Sequence, residues 1–257
     1  MWRWFTWYAR RFLRKHFHAV RLMHGSEPPA LPEDEPLIIY CNHPSWWDPM
    51  TGIFLARHFW PDRRHYWPID AGMLRKYPLF AKLGFFGVER DSIRGAATFL
   101  RTATTALSQD RACLWITVQG DFADVRARPV AIKPGLPHLA ARLGRGVVLP
   151  LAAEYPFWTE RTPEALVRFG EPLRVLDRPS LEQLEARLTH AMDDLATAAI
   201  ARDPNRFSTL LGGVAGTSVF YDAWRGARAW VAGERFNAAH VAEVTGETVS
   251  QARAGQR

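Results

Sequence analysis

The chain has 257 residues, 47% of them hydrophobic and 23% charged, so it can bury the core of one α/β domain and is not an intrinsically disordered protein. A formal net charge of +7 favours an anionic partner such as a lipid surface, a nucleic acid or an acidic cofactor. The two cysteines, Cys41 and Cys113, lie in apolar runs without zinc-site spacing, which predicts buried free thiols in a reducing compartment.

The first 25 residues mix aromatic side chains with six Lys/Arg and contain no acidic residue. No apolar stretch among them is long enough for a signal-peptide core or a spanning helix. The pattern predicts a helix over 1–25 that lies in the headgroup region of an anionic membrane surface. The alternative is a helix packed on the protein's own core with a solvated basic rim. A nucleic-acid arm is disfavoured, because phosphates would make little use of so many large apolar side chains.

After a linker-like segment at 25–36, short apolar runs alternate with helical patterns. Pro68 predicts that the second strand is an edge or irregular strand, and Ser180 with Gln183 predicts a capping box. Alternating strands and helices predict an α/β fold with a mostly parallel or mixed sheet flanked by helices. Strands are predicted at 37–41, 66–69, 85–88, 113–118, 147–153 and 165–173, and helices at 92–107, 133–146 and 179–203.

The predicted domain covers 26–203 and is followed by a C-terminal extension, 204–257, of unknown role. Within that extension, the uncharged run 207–221 predicts a buried or interfacial segment, because it is too short and too rich in Gly, Ser and Thr to span a membrane.

The segment NHPSWWDP directly follows the predicted strand at 37–41. Ligands of α/β sheets bind where strands deliver their carboxyl ends to loops. There His43 could accept a proton from an attacking hydroxyl, and Asp48 could hold the other ring nitrogen of the imidazole. Pro44 and Pro49 favour a turn that opens into a helix.

A second histidine and aspartate five residues apart, His65 and Asp70, weaken any argument from spacing alone. If 66–69 forms a strand, the alternation of side chains sends these two to opposite faces of the sheet. His43 follows its strand instead of starting one, and we therefore choose His43 and Asp48 as the catalytic candidates.

Four sequence blocks, taken in order, resemble those of the glycerolipid acyltransferase superfamily, which includes the 1-acylglycerol-3-phosphate acyltransferases. They are NHPSWWDP (42–49), GFFGVERD (84–91), WITVQGDF (115–122) and GVVLPLA (146–152). The resemblance implies transfer of a fatty acyl group from acyl-CoA or acyl carrier protein to a hydroxyl of a lysophospholipid-like lipid. It implies His43 as general base, Asp48 as its partner, and direct attack without a covalent enzyme intermediate. It also implies substrate-binding roles for Asn42, Arg90, Gln119, Gly120, Asp121 and Pro150.

The third block departs from the family's Glu-Gly-Thr, because this chain has Gln119-Gly120-Asp121. A glutamine accepts a hydrogen bond but carries no charge, and Asp121 would repel an acceptor phosphate unless a nearby arginine compensates. Arg90, Arg126 and Arg128 are the candidates for that compensation. The alternatives are surface ion pairs for Arg126 and Arg128, and a pairing of Arg90 with Glu89 or Asp91.

These departures leave several alternatives open for the function. The acceptor could instead be a lipid without phosphate, namely a glycolipid, an amino-lipid or a pigment, and the chain could also be a non-catalytic membrane lipid-binding protein. A hydrolase in which His43 activates water is another alternative. Cys41, two residues before His43 on one strand face, is a minor candidate nucleophile.

Further expectations concern the surroundings of the site. Trp46 and Trp47 could pack on the core or line the acyl entrance. No metal and no cofactor are expected besides the acyl-CoA or acyl carrier protein co-substrate, since no metal-binding cluster has suitable spacing. The expected location is peripheral, on the cytoplasmic face of an anionic membrane, with no nucleic-acid partner.

Overall fold

The computed structural model describes residues 1–90 and 92–215, in which one mixed sheet carries helices on both faces. The strands are β1 (Ala19–Met23), β2 (Leu37–Cys41), β3 (Arg64–Asp70), β4 (Phe85–Val88), β5 (Ala112–Thr117), β6 (Val147–Glu154), β7 (Glu164–Phe169), β8 (Leu173–Arg174) and β9 (Phe207–Gly212). The helices are α1 (Trp2–His16), α2 (Asp48–Phe59), α3 (Ala71–Lys76), α4 (Ile93–Leu107), α5 (Gly135–Leu143) and α6 (Leu181–Ile200). The predicted α/β class is confirmed.

The strand order is β4-β3-β5-β2-β6-β7-β1-β9, and β8 pairs with β6. The pairs from β4 to β6 are parallel, whereas β6 runs antiparallel to β7, and β1 runs antiparallel to β9. The central strand β2 therefore has a parallel neighbour on each side. Its carboxyl end delivers His43 to the edge of the sheet where β5 also ends.

Alternation along β2 divides the core into two layers. Leu37, Ile39 and Cys41 face the cluster that contains α1 and α2, whereas Ile38 and Tyr40 face the cluster that contains α4, α5 and α6. This is the two-residue period expected of a strand that is buried on both faces. The predicted capping box of Ser180 and Gln183 is present at the start of α6.

Two expectations about the ends of the domain need correction. The N-terminal helix ends at His16, and residues 19–23 form β1, which lies between β7 and β9. β9 lies in the predicted extension 204–257, so strands on both sides of 26–203 belong to the same sheet. Of the run 207–221, Phe207 and Leu211 are buried, while residues from 216 onward lie outside the described part.

Pro68 does not place β3 at an edge, because β3 lies between β4 and β5. The strand pairs with β5 through residues 64–66 and with β4 through residues 67–70. Pro68 thus lies in the half of β3 that pairs with β4, beyond the residues that pair with β5. Its missing N–H therefore breaks no hydrogen bond to β5.

Candidate active site

His43 and Asp48 meet at the end of β2. The Nδ1 atom of His43 lies 2.6 Å from Oδ2 of Asp48, and the side chains are 17% and 6% exposed. Asp48 is the first residue of α2, and its Oδ2 also accepts a hydrogen bond from the backbone N–H of Ser45 at 3.2 Å. With Nδ1 held by Asp48, and with no hydrogen bond to Nε2 from the described residues, Nε2 is the ring nitrogen available to a substrate.

Tyr155, just after β6, completes the surroundings of Asp48. Its hydroxyl donates to Oδ1 of Asp48 at 2.8 Å and lies 3.2 Å from Oγ1 of Thr51. Burial raises the pKa of Asp48, while the hydrogen bonds from His43 and Tyr155 and the attraction to His43 oppose that rise. Burial also raises the pKa of Tyr155 well above its usual value, so the phenol stays protonated and acts as a donor.

The turn after β5 holds the backbone of His43. Oε1 of Gln119 accepts a hydrogen bond from the His43 N–H at 2.8 Å, and the His43 carbonyl accepts one from Ala123 N–H at 3.0 Å. Gly120 adopts a φ of +80°, and a Cβ there would come within 2.5 Å of Lys133 Cε. A glycine therefore suits this position because of its backbone conformation, whereas the flexible Lys133 side chain could move aside.

Two of the predicted substrate-binding residues, Asn42 and Pro150, make contacts within the sheet. The Asn42 side chain is buried and exchanges two hydrogen bonds of 2.9 Å with the backbone of Ala153, which fastens the end of β2 to β6. Pro150 pairs with Tyr40, and its ring lies close to Gly170. The fourth block thus shapes strand β6, and Pro150 is not among the residues that line the cavity.

Arg90 is engaged by two carboxylates. Its Nη1 lies 2.7 Å from Oδ1 of Asp121, and its Nε lies 3.7 Å from Oδ2 of Asp70. The expected compensation of Asp121 is therefore made by Arg90. Asp91, one of the two alternative partners, lies outside the described residues.

The other two arginines form ion pairs away from Asp121. Arg126 pairs with Asp124 at 2.7 Å, and Arg128 pairs with Asp193 at 2.5 Å. The surface ion-pair interpretation therefore holds for both.

His43 borders a large apolar cavity of about 1130 Å³. The cavity also reaches Asn42, Asp48, Arg90 and Gly120, but Gln119 and Asp121 do not line it. Its apolar lining includes Phe5, Ile53, Trp67, Phe85, Trp115 and Leu151. A cavity of this volume with few polar groups is typical of a site for an extended apolar ligand.

Aromatic side chains flank the entrance beside His43. Trp46 lines the cavity, is 55% exposed and stacks on Trp47 with ring centroids 4.4 Å apart. Trp47 packs instead against Phe17 at 4.8 Å, so the expected core packing holds for Trp47, while Trp46 lines the cavity. Phe122 lies with its ring centroid 4.4 Å from that of His43. Neither Phe122 nor Tyr155 was expected from the sequence, since no spacing signal links them to His43.

Two other candidate residues have settings that disfavour catalysis. Burial raises the pKa of the Cys41 thiol far above neutrality, and the nearby Asp48 charge adds to the rise, which disfavours a thiolate nucleophile. His65 is buried, with Nε2 2.9 Å from the Trp60 carbonyl and Nδ1 accepting from Trp115 Nε1 at 3.1 Å. Its counterpart Asp70 caps α3, so His65 and Asp70 form no pair.

Residues 1–90 and 92–215 contain no group of three or more His, Cys, Asp or Glu side chains placed to hold a metal ion. In the same ranges, no helix has both the length and the apolar character needed to cross a membrane.

Comparisons with known proteins show the family of this chain and a shared fold. A family model described as Acyltransferase matches residues 23–154, more than half of the chain, and the chain therefore belongs to the Acyltransferase family. This confirms the resemblance to the glycerolipid acyltransferase superfamily that the four blocks indicated.

The solved structures include a match in fold. It is the crystal structure of the 1-acyl-sn-glycerophosphate (LPA) acyltransferase, PlsC, from Thermotoga maritima. The TM-score is 0.56 at 14% identity, over 77% of this chain and 79% of that chain, which shows a shared fold. A search of curated proteins found no match.

Proposed function

We propose that this acyltransferase family member moves a fatty acyl group from an acyl thioester to a hydroxyl of a lysophospholipid-like lipid at a membrane surface, with His43 as general base. The observation that carries the proposal is the 2.6 Å contact between His43 and Asp48 at the border of a large apolar cavity. The cavity offers room for an acyl chain beside a histidine, the side-chain type most often used as a general base.

In the proposed reaction, Nε2 of His43 takes the proton of the acceptor hydroxyl while its oxygen attacks the thioester carbonyl carbon. The carbon–sulfur bond then breaks, and the thiolate leaves and is protonated by the imidazolium. Asp48 stabilises the imidazolium and fixes the ring so that Nε2 faces the substrate. A general base contributes roughly 10²–10⁴-fold to such a step, and positioning supplies much of the rest.

The membrane part of the proposal is supported by the outer face of α1. Trp4 and Trp7 are each 58% exposed, and α1 carries Arg10, Arg11 and other basic residues without an acid in its first turn. The opposite face, with Phe5, Ala9 and Leu13, packs on the protein. Exposed tryptophans beside arginines suit the headgroup region of an anionic bilayer.

The test uses labelled acyl-CoA and acyl-loaded acyl carrier protein with a panel of lysolipids. We expect acylated lipid from the intact protein, and a loss of at least roughly 100-fold with His43→Ala. His190→Ala is the matched control, because His190 is exposed on α6 and pairs with Asp194, away from His43 in the sequence and outside the cavity lining. It should keep full activity.

Three outcomes would contradict the proposal. Free fatty acid without an acylated acceptor would indicate a hydrolase. No product with either donor would favour a lipid-binding protein. Retained transfer by the His43 variant would exclude its role as base.

A further inference from the structure

The charged cluster formed by Arg90, Asp70 and Asp121 borders the cavity that holds His43. Arg90 is half exposed, and both of its carboxylate partners are accessible to solvent, Asp70 by 31% and Asp121 by 65%. Arg90 and Asp70 line the cavity directly, and Asp121 follows Gly120, which also lines it. An acceptor whose hydroxyl reaches His43 would therefore place its headgroup near this cluster.

The cluster itself contains one cation, Arg90, and two carboxylates, Asp70 and Asp121. Of the described residues that line this end of the cavity, the cations are Arg90 and Lys133 and the carboxylates are Asp70 and Glu89, and Asp121 lies outside the lining, paired with Arg90. Such a balance is unfavourable for a ligand that brings two negative charges and no positive one.

Resting on the proposed function, we propose that the acceptor headgroup is zwitterionic, with a phosphodiester that binds Arg90 and an ammonium group that binds the carboxylates of Asp121 and Asp70. The phosphodiester displaces Asp121 from Arg90, and the released carboxylate then pairs with the ammonium of the same headgroup. In the free protein Arg90 pairs with both carboxylates. In the complex Arg90 pairs with the phosphodiester and the carboxylates pair with the ammonium, so the zwitterion adds no net charge to the cluster.

The existing pair is suited to such an exchange. Exposed ion pairs contribute little to stability, so a ligand can displace Asp121 at small cost. Asp70 is fixed, because its Oδ1 accepts a hydrogen bond from Met73 N–H at the start of α3. The left-handed turn at Gly120 presents Asp121 beside Arg90, while Gln119 on the other side of the turn points back to His43.

Other headgroups fit this cluster less well. A phosphomonoester such as that of lysophosphatidic acid would free Asp121 and leave it facing a dianion, and this headgroup brings no cation of its own. An uncharged headgroup would leave the Arg90–Asp121 pair intact and gain no ion pair.

The experiment compares kcat/KM for acceptors with the same acyl chain. The acceptors are lysophosphatidylethanolamine, lysophosphatidylcholine, lysophosphatidic acid and monoacylglycerol, and the proteins are the intact chain, Asp121→Asn and Asp124→Asn. We expect both zwitterionic lipids to exceed lysophosphatidic acid by roughly tenfold in the intact chain. Asp121→Asn should reduce that ratio severalfold, whereas Asp124→Asn, at a surface pair with Arg126, should leave it unchanged.

The inference is overturned if lysophosphatidic acid or monoacylglycerol is used as well as the zwitterionic lipids, or if Asp121→Asn leaves the ratio unchanged. If no acceptor is acylated, the proposed function fails. In that case binding of short-chain versions of the four lipids to the His43→Ala protein, measured by calorimetry, still decides the inference. Tighter binding of the zwitterions supports it, and equal or reversed affinities overturn it.

Discussion

The hydroxyl of Tyr155 is linked to the proposed general base through Asp48. It donates a hydrogen bond to Asp48, and Asp48 in turn contacts His43. A buried carboxylate with a neutral donor on one oxygen and an imidazole on the other is held in a single orientation. Tyr155 is thus a positioning residue, since it acts through Asp48 and borders the same cavity.

Tyr155→Phe should lower kcat roughly tenfold with little change in KM, because a hydrogen bond to a buried charged group is lost. The pKa of Asp48 should rise further without that donor, so the acid limb of the pH profile of kcat/KM should move to higher pH. Tyr40→Phe is the matched control, since its buried hydroxyl bonds the Leu184 carbonyl on the other side of the sheet. A change in kcat with an unmoved acid limb would contradict the positioning role.

Gln119 explains how the altered third block can still support a structured site. The oxygen of its amide accepts the His43 N–H, a bond that a glutamate could make equally well. The sequence predicted the position of this residue near the site, but not its partner. That partner is a backbone group 76 residues away, and no side-chain pattern records it.

Gln119→Glu should therefore keep activity within a fewfold, whereas Gln119→Leu should lower it roughly tenfold, because the His43 N–H loses its acceptor. Initial rates with a single acceptor and circular dichroism of both variants provide the measurement. Equal activity of the leucine variant would show that the bond does not position His43.

At the scale of elements, the N-terminal segment shows where sequence reasoning stops. The basic and aromatic pattern predicted a helix, and the structure has the helix α1 there. The same pattern gave no indication of strand β1. Arg21 resembles part of a solvated basic face, yet it is 1% exposed, because Glu164 and Thr209 bind its guanidinium at 2.9 and 2.7 Å. Those partners are 143 and 188 residues away, so local patterning could not reveal them.

The role of α1 at membranes is best tested with point substitutions, since deleting 1–24 would also remove β1. Trp4→Ala combined with Trp7→Ala should weaken binding to vesicles containing anionic phosphatidylglycerol by roughly tenfold, because exposed apolar area is lost. Binding of the intact chain should also weaken with added salt. Cosedimentation with vesicles measures both effects.

The control for that test is Leu176→Ala with Ile200→Ala, two exposed apolar residues that lie outside α1. If the two double variants lose vesicle binding to the same extent, the loss depends on the number of apolar residues removed and not on their position. That result would contradict a specific role for α1.

At the scale of the whole molecule, burial of His65 links stability to pH. Burial lowers its pKa from 6.5 to about 4, the hydrogen bond to the Trp60 carbonyl opposes that change, and the charge of Arg63 adds to it. The unfolded chain binds the proton at higher pH than the folded one, so the free energy of unfolding falls as pH decreases from about 6.5 to 4.

His65→Gln removes this titration while keeping a donor and an acceptor at the site. Between pH 7 and pH 4 the intact chain should lose about 3 kcal/mol more stability than the variant, as measured by urea unfolding at each pH. Parallel stability profiles of the two proteins would contradict the assignment.

The placement of β1 between β7 and β9 has a consequence for how the protein meets a bilayer. Two residues, Phe17 and His18, connect α1 to β1. β1 is hydrogen-bonded to a neighbouring strand on each side, and α1 itself packs on the core. The helix therefore cannot swing out as a tethered anchor. A surface that captures its outer tryptophans must hold the entire body at one tilt, so a lipid entering beside Trp46 would approach His43 along a fixed direction.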